Sequence, residues 1–133
     1  QKDIKQVGLL KTKVAQVREV VPGETVGYGR KGEVEKPTRI ATIPVGYADG
    51  FRRALSNGVG KVWINEQLYP VIGNVCMDMT MIDITGSNIQ VGEEVVIFGP
   101  ELPIEEVARW LETIPYEVLT NVAARVKRIY VKD

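Results

Sequence analysis

Apolar and polar residues alternate over most of the chain in short segments rich in Val, Ile and Thr, a pattern typical of β-strands. Glycine, proline and asparagine separate these segments, and they favour turns at 21–24, 65–66 and 86–88. The pattern predicts strands at 8–20, 25–29, 39–45, 61–64, 67–72, 75–85, 91–98 and 125–131. Within 75–85 the alternation changes phase between Met81 and Ile82, which predicts a β-bulge.

One segment has a helical period instead. Pro103 suits a first helical turn, Pro115 ends the pattern, and the apolar residues between them fall three or four positions apart: Ile104, Val107, Ala108, Leu111 and Ile114. A further helical turn is predicted at 116–123. The elements together predict a mainly β fold, an antiparallel β-barrel-like domain with one or two short helices near the C-terminus.

Composition narrows the possible functions. A chain of 133 residues forms one domain that buries roughly two thirds of its unfolded surface. Basic and acidic residues balance at 17 each, so we expect no nucleic-acid partner. The chain has no apolar stretch of about 18 residues, so we expect no membrane span. Cys76 is the only cysteine, which favours a reducing, cytoplasmic setting.

The chain contains no histidine, so proton chemistry must fall to Tyr, Asp, Glu, Lys or Cys, and we expect no metal site. The first residue is Gln1, and a strand-like segment follows at once. We therefore expect this sequence to be a piece of a longer polypeptide.

Two segments, 42–50 and 70–78, have the character of active-site edges. In each, a glycine follows an extended apolar run, and polar, aromatic or sulfur-containing residues follow the glycine. These segments and two others carry a family resemblance. The matching segments are 26–29 (VGYG), 42–50 (TIPVGYADG) with Arg52 and Arg53, 70–73 (PVIG) with 75–78 (VCMD), and 114–118 (IPYEV). In this order, they resemble the C-terminal domain of bacterial alanine racemase along the whole of 1–133.

The resemblance implies an enzyme that depends on pyridoxal 5'-phosphate (PLP) and works as a homodimer. In this family an N-terminal (β/α)8 barrel carries the lysine that forms a Schiff base with PLP, and the mostly β C-terminal domain reaches the barrel of the partner subunit. We expect that barrel and that lysine to lie outside this chain. The chain alone is then expected to be inactive.

The resemblance also assigns the proton-transfer residue. Racemisation needs an acid/base group on each face of the substrate Cα, and Tyr28 would serve the partner's site as the base for L-alanine. Because a phenol has a pKa of about 10, cationic neighbours would have to stabilise its phenolate. A tyrosine of a bulged strand, packed in the core or at its rim, is the structural alternative.

Further roles follow from the same resemblance. Tyr47, Arg53 and Ile114 would line the active-site entrance, although Arg53 reads equally well as a surface arginine. Asp49, before a glycine, is expected to stabilise the turn. Tyr116 would bind the cofactor phosphate of its own subunit, with capping of the helix exit as the alternative.

The segment after 70–73 would bind the substrate carboxylate, with the Met77 backbone N–H as donor and Asp78 close by. Cys76 is expected to be a small buried apolar residue, because no histidine or cation accompanies it. Asn74 differs from the arginine common at that position in relatives, which leaves the charge of that site open.

The sequence thus predicts a racemase domain that interconverts L- and D-alanine for peptidoglycan synthesis. A serine-preferring racemase of the same family is one alternative, because substrate size would be selected partly by residues outside this chain. A non-catalytic β-barrel binding module is the alternative from another class.

Overall fold

A computed structural model describes residues 9–23 and 35–118. The predicted strands at 25–29 and 125–131, and residues 119–123 of the predicted second helical turn, lie outside these ranges. The described elements are seven strands, two 3-10 turns and the helix α1: β1 Leu10–Lys13, β2 Gln16–Val20, β3 Thr38–Ile43, the turns Tyr47–Asp49 and Arg53–Leu55, β4 Lys61–Ile64, β5 Gln67–Pro70, β6 Thr80–Asp83, β7 Glu94–Phe98 and α1 Ile104–Trp110. Residues 115–118 are also helical, which agrees with the described part of the helical turn predicted at 116–123.

The strands form two antiparallel sheets. One has the order β1-β7-β4-β5 and the other β2-β3-β6. Their outer strands meet at both ends: β1 passes into β2 through Val14 and Ala15, and a bridge between Val71 and Ile82 joins the end of β5 to β6. The mainly β, antiparallel prediction with a short helix toward the C-terminus is confirmed, and the two junctions give the sheets a barrel-like connection.

The single strand predicted at 8–20 is wrong, because the backbone changes partner in its middle. The Val14 N–H donates to the Glu93 carbonyl beside the first sheet, whereas the Ala15 N–H donates to the Thr42 carbonyl of the second, at 2.9 and 2.8 Å. One peptide therefore carries the chain from sheet to sheet. A register shift that marks a bulge lies between Leu10 and Lys11.

The hairpin predicted at 61–72 is present as β4 and β5. Asn65 and Glu66, the two residues between these strands, both have positive φ angles, 50° and 69°. A two-residue loop with this backbone matches the right-handed twist of the strands it joins. The other strands begin or end within a few residues of their predicted limits, as β3 and β7 show.

The strand predicted at 75–85 is mostly wrong, and so is its bulge. Only Thr80–Asp83 is a strand, and it pairs with β3 in regular register. Thr80, Ile82 and Ile84 are fully buried, whereas Met77 and Met79 are exposed. The apparent change of phase arises because a polar threonine faces inward and methionines face outward.

The helix is shorter than the 104–114 pattern predicts. It ends at Trp110, Glu112 has a left-handed φ of 56°, and the Thr113 N–H donates back to the Ala108 carbonyl at 2.9 Å. Ile104, Val107 and Ala108 are buried as predicted, but Ile114 is 62% exposed. Pro115 therefore does not end the helix, and Ile114 is not part of its core face.

One apolar core spans both sheets and the helix. Ile43 and Ile82 from the second sheet, Ile64 and Phe98 from the first, and Val107 from α1 belong to the same buried cluster. Burial of such side chains contributes about 1.5–3 kcal/mol each. The two sheets are thus held face to face by apolar contact as well as by their backbone junctions.

Ile82→Ala is expected to lower the free energy of unfolding by about 2–5 kcal/mol, because it leaves a cavity where both sheets meet. Urea titration followed by the fluorescence of Trp63 and Trp110 measures this loss. Leu68→Ala is the matched control: Leu68 is 40% exposed, so its change should stay within about 0.5 kcal/mol. Equal losses in the two variants would contradict the proposed core.

Candidate active-site face

The residues after β3 form a compact turn. Tyr47–Asp49 is a 3-10 turn, and the Asp49 carboxylate accepts a hydrogen bond from the Gly46 N–H at 3.0 Å. Gly50 follows with a φ of 101°, which a residue with a side chain rarely adopts. Asp49 thus stabilises the turn, as the sequence predicts.

This turn lies directly on the backbone of residues 76–77. The Tyr47 N–H donates to the Cys76 carbonyl at 2.9 Å, and the Ala48 N–H donates to the Met77 carbonyl at 2.8 Å. The buried Thr80 hydroxyl donates to the Val45 carbonyl at 2.5 Å. The two segments that the sequence singles out, 42–50 and 70–78, are therefore hydrogen-bonded neighbours.

Residues 76–79 form a tight turn closed by the Cys76 N–H and the Met79 carbonyl at 3.0 Å. Cys76 is 3% exposed, which confirms its prediction as a small buried residue. Met77 and Asp78 are exposed. Within the part of the chain that the structure describes, the Met77 N–H makes no hydrogen bond, so this turn offers a donor to a ligand.

The two adjacent arginines have different partners. The Arg53 guanidinium carbon lies 5.6 Å from the centre of the Tyr47 ring, a cation–π contact. Arg52 instead forms an ion pair with Glu117, with 3.6 Å between Nη1 and Oε1. Arg53 and Tyr47 therefore form one unit, as their predicted common role at an entrance requires.

The segment 114–118 is the third part of this face. Ile114 is 62% and Tyr116 64% exposed, while Val118 is buried and anchors the segment in the core. The Thr113 hydroxyl also bonds to the Glu117 carboxylate. An open depression of about 390 Å³ lies where this segment meets the first turn, lined by Tyr47, Gly50, Arg52 and Glu117.

Six of the seven predicted site residues thus fall on three connected segments, which together we call the site face: 46–53, 76–79 and 114–118. The seventh, Tyr28, lies outside the described residues. Sequence reasoning missed Arg52 and Glu117 as the link between two of the segments. The sequence pointed to these two residues only by position, because Arg52 precedes Arg53 and Glu117 follows Tyr116.

Asn74 has a structural contact. Its side-chain oxygen accepts a hydrogen bond from the Asn57 side chain at 3.1 Å, and the Asn57 N–H donates to the Gly73 carbonyl at 2.9 Å. Asn57 itself has a φ of 57°. The amide of Asn74 therefore helps hold the 56–58 turn against the segment that leads to the site face.

Over residues 9–23 and 35–118, no three His, Cys, Asp or Glu side chains are grouped to hold a metal ion. None of the helices described in those ranges has the length and apolar character to cross a membrane.

A family model for the alanine racemase C-terminal domain matches residues 7–130. The chain belongs to this family. The prediction made from the four sequence segments is confirmed at the level of the family and its domain.

Relatives of known name agree. The chain is 46% identical over 136 aligned residues to alanine racemase 1 of Clostridium acetobutylicum and 44% identical over 137 to alanine racemase of Clostridium novyi, in each case over 98% of this chain. It spans 35% of the length of each relative. The similarity therefore concerns one domain of a longer enzyme.

Solved structures give the same result. Alanine racemase of Clostridium difficile in complex with cycloserine matches with a TM-score of 0.81 and 42% identity, over 89% of this chain and 32% of that one. Alanine racemase of Bartonella henselae with covalently bound pyridoxal phosphate matches with a TM-score of 0.82 and 38% identity, over 88% and 33%.

Exchange of the charges of Arg52 and Glu117 tests the link between the segments. Arg52→Glu and Glu117→Arg alone should each lower the free energy of unfolding, and the double variant should recover about 0.2–1 kcal/mol, the range for exposed ion pairs. Urea titration at low and high salt measures the recovery, which salt should weaken. Arg52→Glu combined with Glu94→Arg is the control, because Glu94 pairs with Lys11. If the stability losses of the single variants simply add in both double variants, with no recovery in the Arg52–Glu117 pair, the link would be contradicted.

Proposed function

We propose that this chain is the C-terminal domain of a PLP-dependent alanine racemase, a cytoplasmic homodimer that interconverts L- and D-alanine for peptidoglycan synthesis. The observation that carries the proposal is the contact between the Tyr47 turn and the 76–79 turn, in a chain of this family, with the Met77 N–H open to a ligand. The cofactor lysine belongs to an N-terminal barrel outside this sequence. Tyr28 serves the site of the partner subunit, and Tyr116 contacts the cofactor of its own subunit.

The exposed groups of the site face fit contacts to PLP and to its substrate. The Tyr116 hydroxyl is on an exposed ring and suits a single hydrogen bond to the cofactor phosphate. The neighbouring Glu117 carboxylate would repel a phosphate, but Arg52 pairs with it. The residues that line the depression, Tyr47, Gly50, Arg52 and Glu117, include no lysine. The remaining phosphate contacts and the lysine would come from the barrel.

PLP supplies an electron sink that stabilises negative charge at the substrate Cα. Tyr28 would remove or return the proton on one face, and the barrel lysine would act on the other. The phenolate form of Tyr28 needs a cation nearby, which we assign to the barrel. The division of the site between subunits follows from this arrangement.

The 76–79 turn would bind the substrate carboxylate. A backbone N–H has a fixed direction and needs no particular side chain, so methionine suits this position. Asp78 lies beside it. At the entrance, the Tyr47 ring, the Arg53 guanidinium and Ile114 would narrow the passage, and the cation would attract a carboxylate.

Tyr28→Phe in the full-length enzyme should lower kcat/KM for L-alanine by about 10²–10⁴-fold, the usual contribution of an acid/base group. Exchange of the Cα proton in D₂O, followed by NMR, should be lost from L-alanine and retained from D-alanine, which the lysine serves. Tyr69→Phe is the matched control, because Tyr69 is a buried core tyrosine. Unchanged racemisation by Tyr28→Phe would instead support a non-catalytic binding module.

The 133 residues alone should not racemise alanine when PLP is added, because the lysine and most phosphate contacts would be missing. The full-length enzyme at the same concentration is the control, and the change in optical rotation of L-alanine is the measurement. Turnover by the isolated chain would refute the division of the site between two segments of the polypeptide.

A further inference from the structure

We propose that Gly46 is a positioning residue that fixes the direction of the Met77 N–H, the donor assigned to the substrate carboxylate. This inference rests on the proposed function. Its physical basis is the close approach of two backbone segments at a point where a side chain has no room.

The backbone of Gly46 runs against the peptide groups of Cys76 and Met77. A Cβ added to Gly46 would lie 2.5 Å from the Met77 carbonyl oxygen, and closer still to the Cys76 carbonyl oxygen. Non-bonded atoms normally stay about 3.5 Å apart. The obstacles are backbone atoms, so they cannot move aside as a flexible side chain would.

Gly46 is needed here for space and not for backbone freedom. Its φ of −144° and ψ of −164° are extended values that any residue adopts. A larger residue would therefore form the same local backbone but would push the 76–79 turn away. A substitution at Gly46 would therefore disturb the contact between the Tyr47 turn and the 76–79 turn and not the backbone of Gly46 itself.

That contact determines where the Met77 N–H points. The peptide between Cys76 and Met77 is trans, as are all the described peptides. In a trans peptide the N–H and the C=O point in opposite directions. Because the Cys76 carbonyl faces the Tyr47 N–H at 2.9 Å, the Met77 N–H points away from the Tyr47 turn.

Two further contacts hold the same geometry. The Ala48 N–H donates to the Met77 carbonyl, and the Asp49 carboxylate holds the Gly46 N–H. The residue that presents the entrance ring, Tyr47, thus also orients the carboxylate donor through its own N–H. Displacement of the Tyr47 turn would move the entrance and the donor together.

The test uses the full-length enzyme and the substitution Gly46→Ala. The KM for L-alanine should rise about tenfold, the effect of losing one well-directed hydrogen bond to a charged group. Inhibition by propionate, which has the carboxylate but no amino group, should weaken by a similar factor. The affinity for PLP and its absorption spectrum should stay unchanged, because the cofactor contacts lie on other residues.

Gly99→Ala is the matched control, since a Cβ there would overlap the Leu9 side chain and not the site face. Asp49→Ala provides a second, milder variant if Gly46→Ala fails to fold, with an expected rise in KM of about threefold. An equal KM in Gly46→Ala and Gly99→Ala, or unchanged propionate inhibition, would overturn the inference. Absence of racemisation by the unsubstituted enzyme would instead refute the proposed function.

Discussion

The site face depends on one backbone interaction, the pair of hydrogen bonds from the Tyr47 and Ala48 N–H groups to the Cys76 and Met77 carbonyls. The two joined segments, 46–50 and 76–79, are short and have little regular structure of their own, so neither would hold its shape alone. The strands β3 and β6 bring 44–50 and 76–79 together, because the two strands are antiparallel and the last residue of β3, Ile43, pairs with the first residue of β6, Thr80. The buried Thr80 hydroxyl adds a hydrogen bond to the Val45 carbonyl, two residues beyond the end of β3.

The site face carries several of the large apolar side chains that are exposed in the described residues. Tyr47, Met77, Ile114 and Tyr116 are all large, and all are between 38% and 64% exposed. Clustered apolar side chains of this kind mark surfaces that contact a ligand or another polypeptide. Under the proposed function, this exposed surface would face the rest of the enzyme.

The residues of the buried core and the predicted site residues lie in different parts of this domain. Apolar side chains from both sheets and the helix form the main core, and Val20 and Ile40 form a second, small buried cluster. The described site residues lie outside both clusters. Val118 shows how the two are connected: it is buried, two positions from the exposed Tyr116, and so fixes this predicted site segment to the core. Arg52 and Glu117 add an ion pair at the surface that contributes position more than stability.

The sequence by itself determined the β-rich class, the hairpin with its Asn65–Glu66 turn, the buried stripe of α1 and the family. These depend on local period, turn chemistry and short motifs, all of which are written in neighbouring residues. The resemblance also named seven candidate site residues; the structure brings six of them onto one face, and their roles stay predictions.

Only the tertiary structure decided where the chain changes sheet at Val14, that Thr80 faces inward while Met77 and Met79 face outward, and that the helix ends at Trp110. In each case a partner distant in sequence supplies the hydrogen bond or the burial that overrides the local pattern. The closeness of Gly46 to the 76–77 backbone is of the same kind, because steric contact between residues about thirty positions apart leaves no periodic signal in a sequence.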